Sequence, residues 1–353
     1  MVPVTDLESL PPGQAVYIIW PKQGEPYLGR TNILRRRLTR LFEKWKLAEH
    51  AGRIEYWPTA SRLEQWLVSY KLAKQYFPET YERVLRLPKP PYVKLILSND
   101  FPRTQTTTRL AGAKSVFFGP FPNRASADLF ESQFLDLFQL RRCQEDLVPS
   151  PDHPGCIYGE MGRCLRPCQQ AVTIDEYSSE ARRVAEFLTT RGATLLESAA
   201  AARERSSNDL NFEEASRQHE RHQKIGEIAK LPGELARDVT ELHGVAVTAS
   251  IEDQTVMLWF LREGCWLDPV PFSVAPIVGK PVPLDTRLRE IVAALETPKA
   301  TLQLRQDHLA LLTKWFYSSW RDGEWLSFDD LAKISYRKLV NAIHRVATAS
   351  NRP

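Results

Sequence analysis

Cys143-QEDLVPSPDHPG-Cys156-IYGEMGR-Cys164-LRP-Cys168 gathers four of the chain's five cysteines, with gaps of twelve, seven and three residues. The fifth, Cys265, lies almost a hundred residues further on. Thiolates clustered in this way are cross-linked, metal-bound or incidental. Two disulfides would suit a small secreted domain, and a chain of 353 residues is not one. A structural zinc site and an iron–sulfur cluster both need four soft ligands at short spacing. The spacing leaves zinc and iron–sulfur open, with four buried free thiols as the remaining reading.

The rest of the composition sets the frame. At 353 residues two or three domains are expected. With 43% hydrophobic and 25% charged residues the chain is expected to be soluble and globular. Its first residues carry Asp6 and Glu8 without a basic start or apolar run, so no signal peptide is expected. No apolar segment approaches the ~20 residues of a membrane span. Few cysteines, mostly clustered, predict a reducing cytoplasm. The net charge of +4 says little about partners, but its distribution says more.

Ala15 to Trp20 is a β-branched and aromatic run, and Tyr27-Leu28-Gly29 a second short one beyond a Pro-Gly-rich turn. They predict a hairpin carrying Tyr17 and Tyr27. Arg30 to Phe42 then has helical apolar spacing, with Thr31 or Asn32 as cap. Arg30, Arg35, Arg36, Arg37 and Arg40 fill the remaining positions, which suits either phosphate binding or a solvated basic face.

Tyr17, ten positions before Tyr27-Leu28-Gly29 and followed by Arg30 and Arg37, resembles the GIY-YIG nuclease domain; its first motif is degenerate, Ala15-Val16-Tyr17. The resemblance implies a small antiparallel sheet with flanking helices. It also implies catalytic roles for Tyr17, Tyr27, Arg30 and Arg37, and DNA-backbone contacts from Arg35, Arg36 and Arg40. A tyrosine hydroxyl can relay a proton from water, while guanidinium and Mg2+ or Mn2+ would neutralise charge on the phosphate. The family's metal-binding glutamate falls at Ser69, nine residues before Pro78 on a helix expected over 61–76. Serine is a poor magnesium ligand. Glu64 lies about 140° round the helix from that position, and Glu79 and Glu82 follow the proline. An inactive DNA-binding descendant is therefore an equal expectation.

Pro91-Tyr-Val-Lys-Leu95, Val116-Phe-Phe-Gly-Pro-Phe-Pro122, Leu137 to Cys143 and Arg163 to Cys168 follow in order. They resemble the stretches beyond the GIY-YIG domain in the excinuclease subunit UvrC. The resemblance runs from about residue 12 to 230. It implies a [4Fe–4S] cluster on Cys143, Cys156, Cys164 and Cys168, zinc being the alternative. Arg141, Arg142, Arg163 and Arg166 crowd these cysteines and could reach DNA. His153 is expected to be a solvent-exposed loop residue.

From Asp175 the chain reads as helical, with a break at Gly192 and a turn at Ser206 to Asp209 between two helices. Asn211-Phe-Glu-Glu-Ala215 resembles the UVR motif, which implies pairing with a UvrB-like helicase subunit through Leu210, Phe212, Glu213 and Ala215. His219 and His222 have helical spacing, but nothing nearby completes a metal site. Beyond Leu231-Pro-Gly-Glu come a three-stranded meander, helices over 287–295 and 307–320, and a helix over 328–346 capped by Ser327. Five of the nine tryptophans are here and read as core, while Cys265 reads as a buried strand thiol. The RNase H-like and helix-hairpin-helix domains of full-length UvrC have no counterpart in these residues, so a short form is expected.

The expected fold is therefore α+β and multidomain. It comprises a GIY-YIG-like module over 12–90, connecting strands with a four-cysteine module over 91–175, a UVR-like helical hairpin over 176–232 and a C-terminal α+β domain over 233–353. The expected function is UvrC-like DNA repair by metal-dependent incision, or DNA binding without incision.

Overall fold

The computed structural model describes residues 10–45, 51–275 and 282–350; Asp6 and Glu8 lie outside them. The fold is α+β and multidomain, with three small antiparallel sheets among the described residues. The chain groups into two compact units, Met1–Pro88 with His243–Lys299 and Ala310–Pro353, and Lys89–Leu242 with Ala300–Leu309.

In the first unit β1 (Ala15–Pro21) is the central strand between β2 (Tyr27–Thr31) and β3 (Ala51–Pro58). Its unbroken apolar run is explained by burial on both faces, because successive side chains of a strand point to opposite sides. Ala15, Tyr17 and Ile19 pack with Leu34 and Leu38 of α1 (Leu34–Trp45). Val16 and Ile18 pack with Leu72 of α2 (Arg62–Tyr76). The expected helix from Arg30 starts four residues later, since Arg30 and Thr31 pair with Val16 and Ala15 as the end of β2. Strand β3 carries no clear sequence signal, because Gly52, Arg53 and Glu55 interrupt its alternation. Helix α2 begins where expected, with the Ser61 hydroxyl accepting from the Glu64 N–H at 3.1 Å. A short helix, α3 (Tyr81–Leu85), follows.

The second unit holds β4 (Tyr92–Ile96), β5 (Arg103–Thr107), β6 (Ser115–Gly119) and the two-residue β7 (Arg237–Asp238), in the order β5-β4-β6-β7. Against this sheet lie α4 (Arg124–Leu135) and α5 (Ile174–Thr190). The core is aromatic: Phe130 stacks on Phe118 at 5.0 Å and Phe134 on Phe187 at 5.9 Å. Thr173 and Glu176 form a capping box at the start of α5. Gly192 separates α5 from α6 (Ala193–Asn208), which pairs with α7 (Phe212–Lys230). The expected turn at 206–209 is shifted, since α6 runs through Asn208 and Leu210 makes the turn at a φ of 58°.

The C-terminal sheet, in the first unit, comprises β8 (His243–Ala249), β9 (Thr255–Arg262), β10 (Cys265–Trp266), β11 (Val270–Ser273) and β12 (Glu324–Phe328). Helices α8 (Leu284–Ala293) and α10 (Tyr336–Ser350) pack on it. Helix α9 (Leu302–Phe316) begins in the stretch grouped with the second unit and ends in the first. The expected helix over 328–346 is corrected: Ser327 lies within β12, whose residues pair antiparallel with His243 to Val247. A ladder partner eighty residues away overrides a local cap signal. Cys265 is a fully buried strand thiol, as expected.

Tyr177 joins two segments of the second unit. Its buried hydroxyl accepts from the Arg141 N–H and donates to the Pro102 carbonyl, both at 2.9 Å. Tyr177→Phe leaves those two groups without partners, and a loss of about 1–3 kcal/mol is expected in denaturant unfolding of the purified protein.

Candidate nucleic-acid cleft and thiolate cluster

Tyr17 and Tyr27 meet because their strands are paired. Tyr17 lies opposite Gly29 in the β1–β2 ladder, two residues from Tyr27. The tyrosine rings are 6.2 Å apart. A Cβ at Gly29 would stand 2.4 Å from the Tyr17 ring, so only glycine lets that ring lie across the neighbouring strand. Arg37 Nε donates to the Tyr17 hydroxyl at 3.2 Å. Burial pushes the Tyr17 hydroxyl above the usual phenol range, and the Arg37 hydrogen bond offsets part of that rise. Tyr27 is half exposed.

A cleft of about 640 Å³ opens beside Tyr27 and Arg30, floored by Gln65, Trp66 and Ser69 of α2. The Arg30 guanidinium lies 3.3 Å from the centre of the Trp66 ring, a stacked cation–π contact. Burial lowers its pKa to about 10. Gln65 Nε2 donates to the Thr31 carbonyl at 2.8 Å and ties α2 to β2. Ser69 is fully buried, and its hydroxyl donates to the Gln65 carbonyl at 2.6 Å. None of the described lining residues is a carboxylate, whereas Arg30, Arg62, Arg86 and Lys314 all reach the cleft. Glu64 instead accepts from the Ala60 N–H at 2.7 Å and closes the start of α2. The site thus does not fit the divalent ion that the resemblance implies.

The helix-borne arginines are dispersed. Arg35 donates from Nε and Nη2 to the Leu10 carbonyl, so its guanidinium anchors that residue, while Arg36 and Arg40 are exposed. Trp66, Lys314, Trp320, Arg62 and Arg86 are cleft residues that the sequence reading does not single out. Trp66 is three residues before Ser69 and so on its helix face, which is a usable signal. Lys314 and Trp320 carry none.

The four clustered cysteines all lie in the second unit, near enough to act on one another electrostatically. Burial pushes the Cys164 thiol up to about 11; the Arg166 N–H holds it down in part, and Cys143, Cys156 and Cys168 raise it further. Cys164 and Cys168 are buried, Cys143 partly so and Cys156 exposed. Arg141 Nη1 and the Arg166 N–H each reach a cysteine sulfur at 3.4 Å, Cys143 and Cys164 respectively. Among the described residues no three His, Cys, Asp or Glu side chains are grouped so as to hold a single metal ion. The crowding arginines are largely spent internally. Arg141 is buried against the carbonyls of Phe101, Cys143 and Glu145, and Arg142 and Arg163 both pair with Asp136. His153 is partly buried, its Nδ1 accepting from the Gly155 N–H at 3.0 Å.

At the hairpin tip Leu210 and Phe212 are 73% and 67% exposed, beside exposed Glu213 and partly buried Ala215. His219 and His222 lie on α7, outside any metal-holding group among the described residues. No described helix is long and apolar enough to cross a membrane.

A small antiparallel sheet beside a basic cleft, four clustered cysteines and a helical hairpin occur together in this chain. Residues 91–187 match the UvrC/Cho excinuclease middle domain. The UvrABC system protein C of Lachnospira eligens is 24% identical over 271 residues, 73% of this chain and 44% of that protein. That of Clostridium botulinum strain Langeland is 26% identical over 273 residues, 73% and 43% of the two chains. The chain is UvrC-like, and spans less than half the length of these relatives. No solved structure matches it.

Gly29→Ala forces the Tyr17 ring to move. An overpacking cost of about 1–3 kcal/mol is expected, read as a lower denaturation midpoint with unchanged slope.

Proposed function

We propose that this chain is a UvrC-like nucleotide excision repair protein whose cleft grips a DNA backbone without hydrolysing it. One observation carries the reading: where the family resemblance calls for a metal-binding glutamate, Ser69 is buried and hydrogen-bonded to its own helix. The lining cations favour phosphate, but hydrolysis also needs a base and a charge-neutralising ion beside the scissile bond. Tyr17 is a weak candidate for the base, being fully buried and held protonated.

The Arg37–Tyr17 hydrogen bond and the nearby Tyr27 ring favour a second reading, incision like that of the nuclease family. A nicking assay on damaged plasmid with magnesium or manganese separates the two. Nicking no faster than that of Tyr27→Phe and Arg37→Ala is expected. Wild-type activity well above both variants would sink the binding-only reading.

The four cysteines support a bound [4Fe–4S] cluster as a structural staple for the second unit. Four thiols near enough to act on one another electrostatically, two of them receiving N–H donors, support an anionic thiolate centre. The UvrC resemblance favours iron–sulfur over zinc at these four positions. Anaerobically purified protein is expected to contain iron and acid-labile sulfide with visible absorbance, both lost in Cys164→Ser. Colourless protein with one zinc would sink the assignment.

The exposed Leu210 and Phe212 at the hairpin tip support docking of a UvrB-like partner through the paired helices.

A further inference from the structure

We infer that Lys314, from the distant helix α9, supplies inside the cleft the positive charge that the nuclease resemblance assigns to a divalent ion, so that a DNA strand binds there without metal. The inference rests on the proposed reading of the cleft as a DNA site and deepens it.

Lys314 Nζ lies 4.4 Å from the centre of the Trp66 ring, the indole on which Arg30 also stacks. Trp66 and Ser69 are three residues apart on α2, one helical turn along the same face. The lysine therefore stands over the face on which a carboxylate would have held the ion.

Two cations share one aromatic ring in a partly buried cleft. Burial lowers both their pKa values, and the charge of Arg30 lowers that of Lys314 further. No described lining residue offers a counter-charge. Like charges held together out of water are costly unless an anion joins them. A phosphodiester is the anion that matches a groove with several cations along it. Trp320 adds an indole to the lining, with Arg62 5.2 Å over its ring, and such platforms stack bases or sugars.

The position of the lysine is set by the fold. Trp315 Nε1, next in sequence, donates to the Asp322 carboxylate at 3.0 Å, and that carboxylate accepts from the Arg62 N–H at 2.6 Å. The start of α2 is thereby tied to the end of α9.

The test is fluorescence anisotropy with a short labelled DNA duplex and the full chain in EDTA, repeated with magnesium. Lys314→Ala and Lys314→Met are expected to weaken binding about tenfold and lower the salt slope by about one, while Lys314→Arg retains both. The methionine keeps the stem over Trp66, so loss of charge is read apart from loss of packing. Magnesium is expected to leave wild-type affinity unchanged. Replacing chloride with inorganic phosphate at equal ionic strength is expected to do the same. Displacement by phosphate would point to a single-phosphate pocket and overturn strand binding. Weakened binding by Arg30→Ala with Lys314→Met unaffected would overturn the lysine's role and leave the DNA cleft standing. Unchanged binding by both would overturn the cleft reading itself. Tighter wild-type binding in magnesium would restore the metal and overturn the substitution.

Discussion

The first unit depends on how the start of α2 is closed. A helix begins with N–H groups that have no partner within it. Here the Ser61 hydroxyl takes that of Glu64, and the Asp322 carboxylate takes that of Arg62 from 260 residues away. A charged acceptor at a helix N-terminus is favoured by both hydrogen bond and dipole. The same carboxylate receives the Trp315 indole N–H, so one aspartate joins the end of α9 to the helix that floors the cleft. The β1–β2–β3 sheet is consequently not free-standing. Its cleft wall includes Lys314 and Trp320 from the C-terminal region, and the chemistry of the cleft is written by both ends of the chain.

The thiolate module follows another logic. Its neighbouring arginines read in sequence as a nucleic-acid surface, but the buried Arg141 has its guanidinium bound to three carbonyls and a cysteine sulfur. A guanidinium has five donors in a fixed fork and suits the organisation of a loop lacking regular backbone pairing. With Arg142 and Arg163 converging on Asp136, the basic crowd mainly shapes the loop that carries the cysteines.

Legibility in the sequence varies with the range of the interaction that decides each element. The β1–β2 hairpin, α2 and the α6–α7 helical hairpin are readable because local periodicity and caps determine them. Strand β12 is missed because a serine before an apolar run is a sound cap signal, and only pairing with β8 overrules it. The cleft is half legible. Tyr27, Arg30 and Ser69 are visible, whereas Lys314 and Trp320 reach it through the Asp322 bridge, which leaves no trace in local sequence. Arg35 escapes a local reading for the same reason, since its carbonyl acceptor at Leu10 is a tertiary partner.

The motif residues also differ in what they say about catalysis. Tyr17 is fully buried among Ala15, Ile19, Leu34 and Leu38, and Gly29 makes room for its ring. Both have packing reasons to be what they are, so neither is a witness for hydrolysis. Arg37 donates to the buried Tyr17 hydroxyl, a group that is costly to leave unpaired. The informative positions are those where packing makes no demand for charge. At Ser69 a buried helix position needs only a small side chain, and a carboxylate there would need a cation beside it to bear its burial. At Lys314 the reverse holds: an ammonium set against an indole and a second cation has no packing purpose that an apolar side chain would not serve better. On the proposed reading, the ammonium carries the positive charge in place of a metal, and the affinity of the cleft for an anion depends on salt.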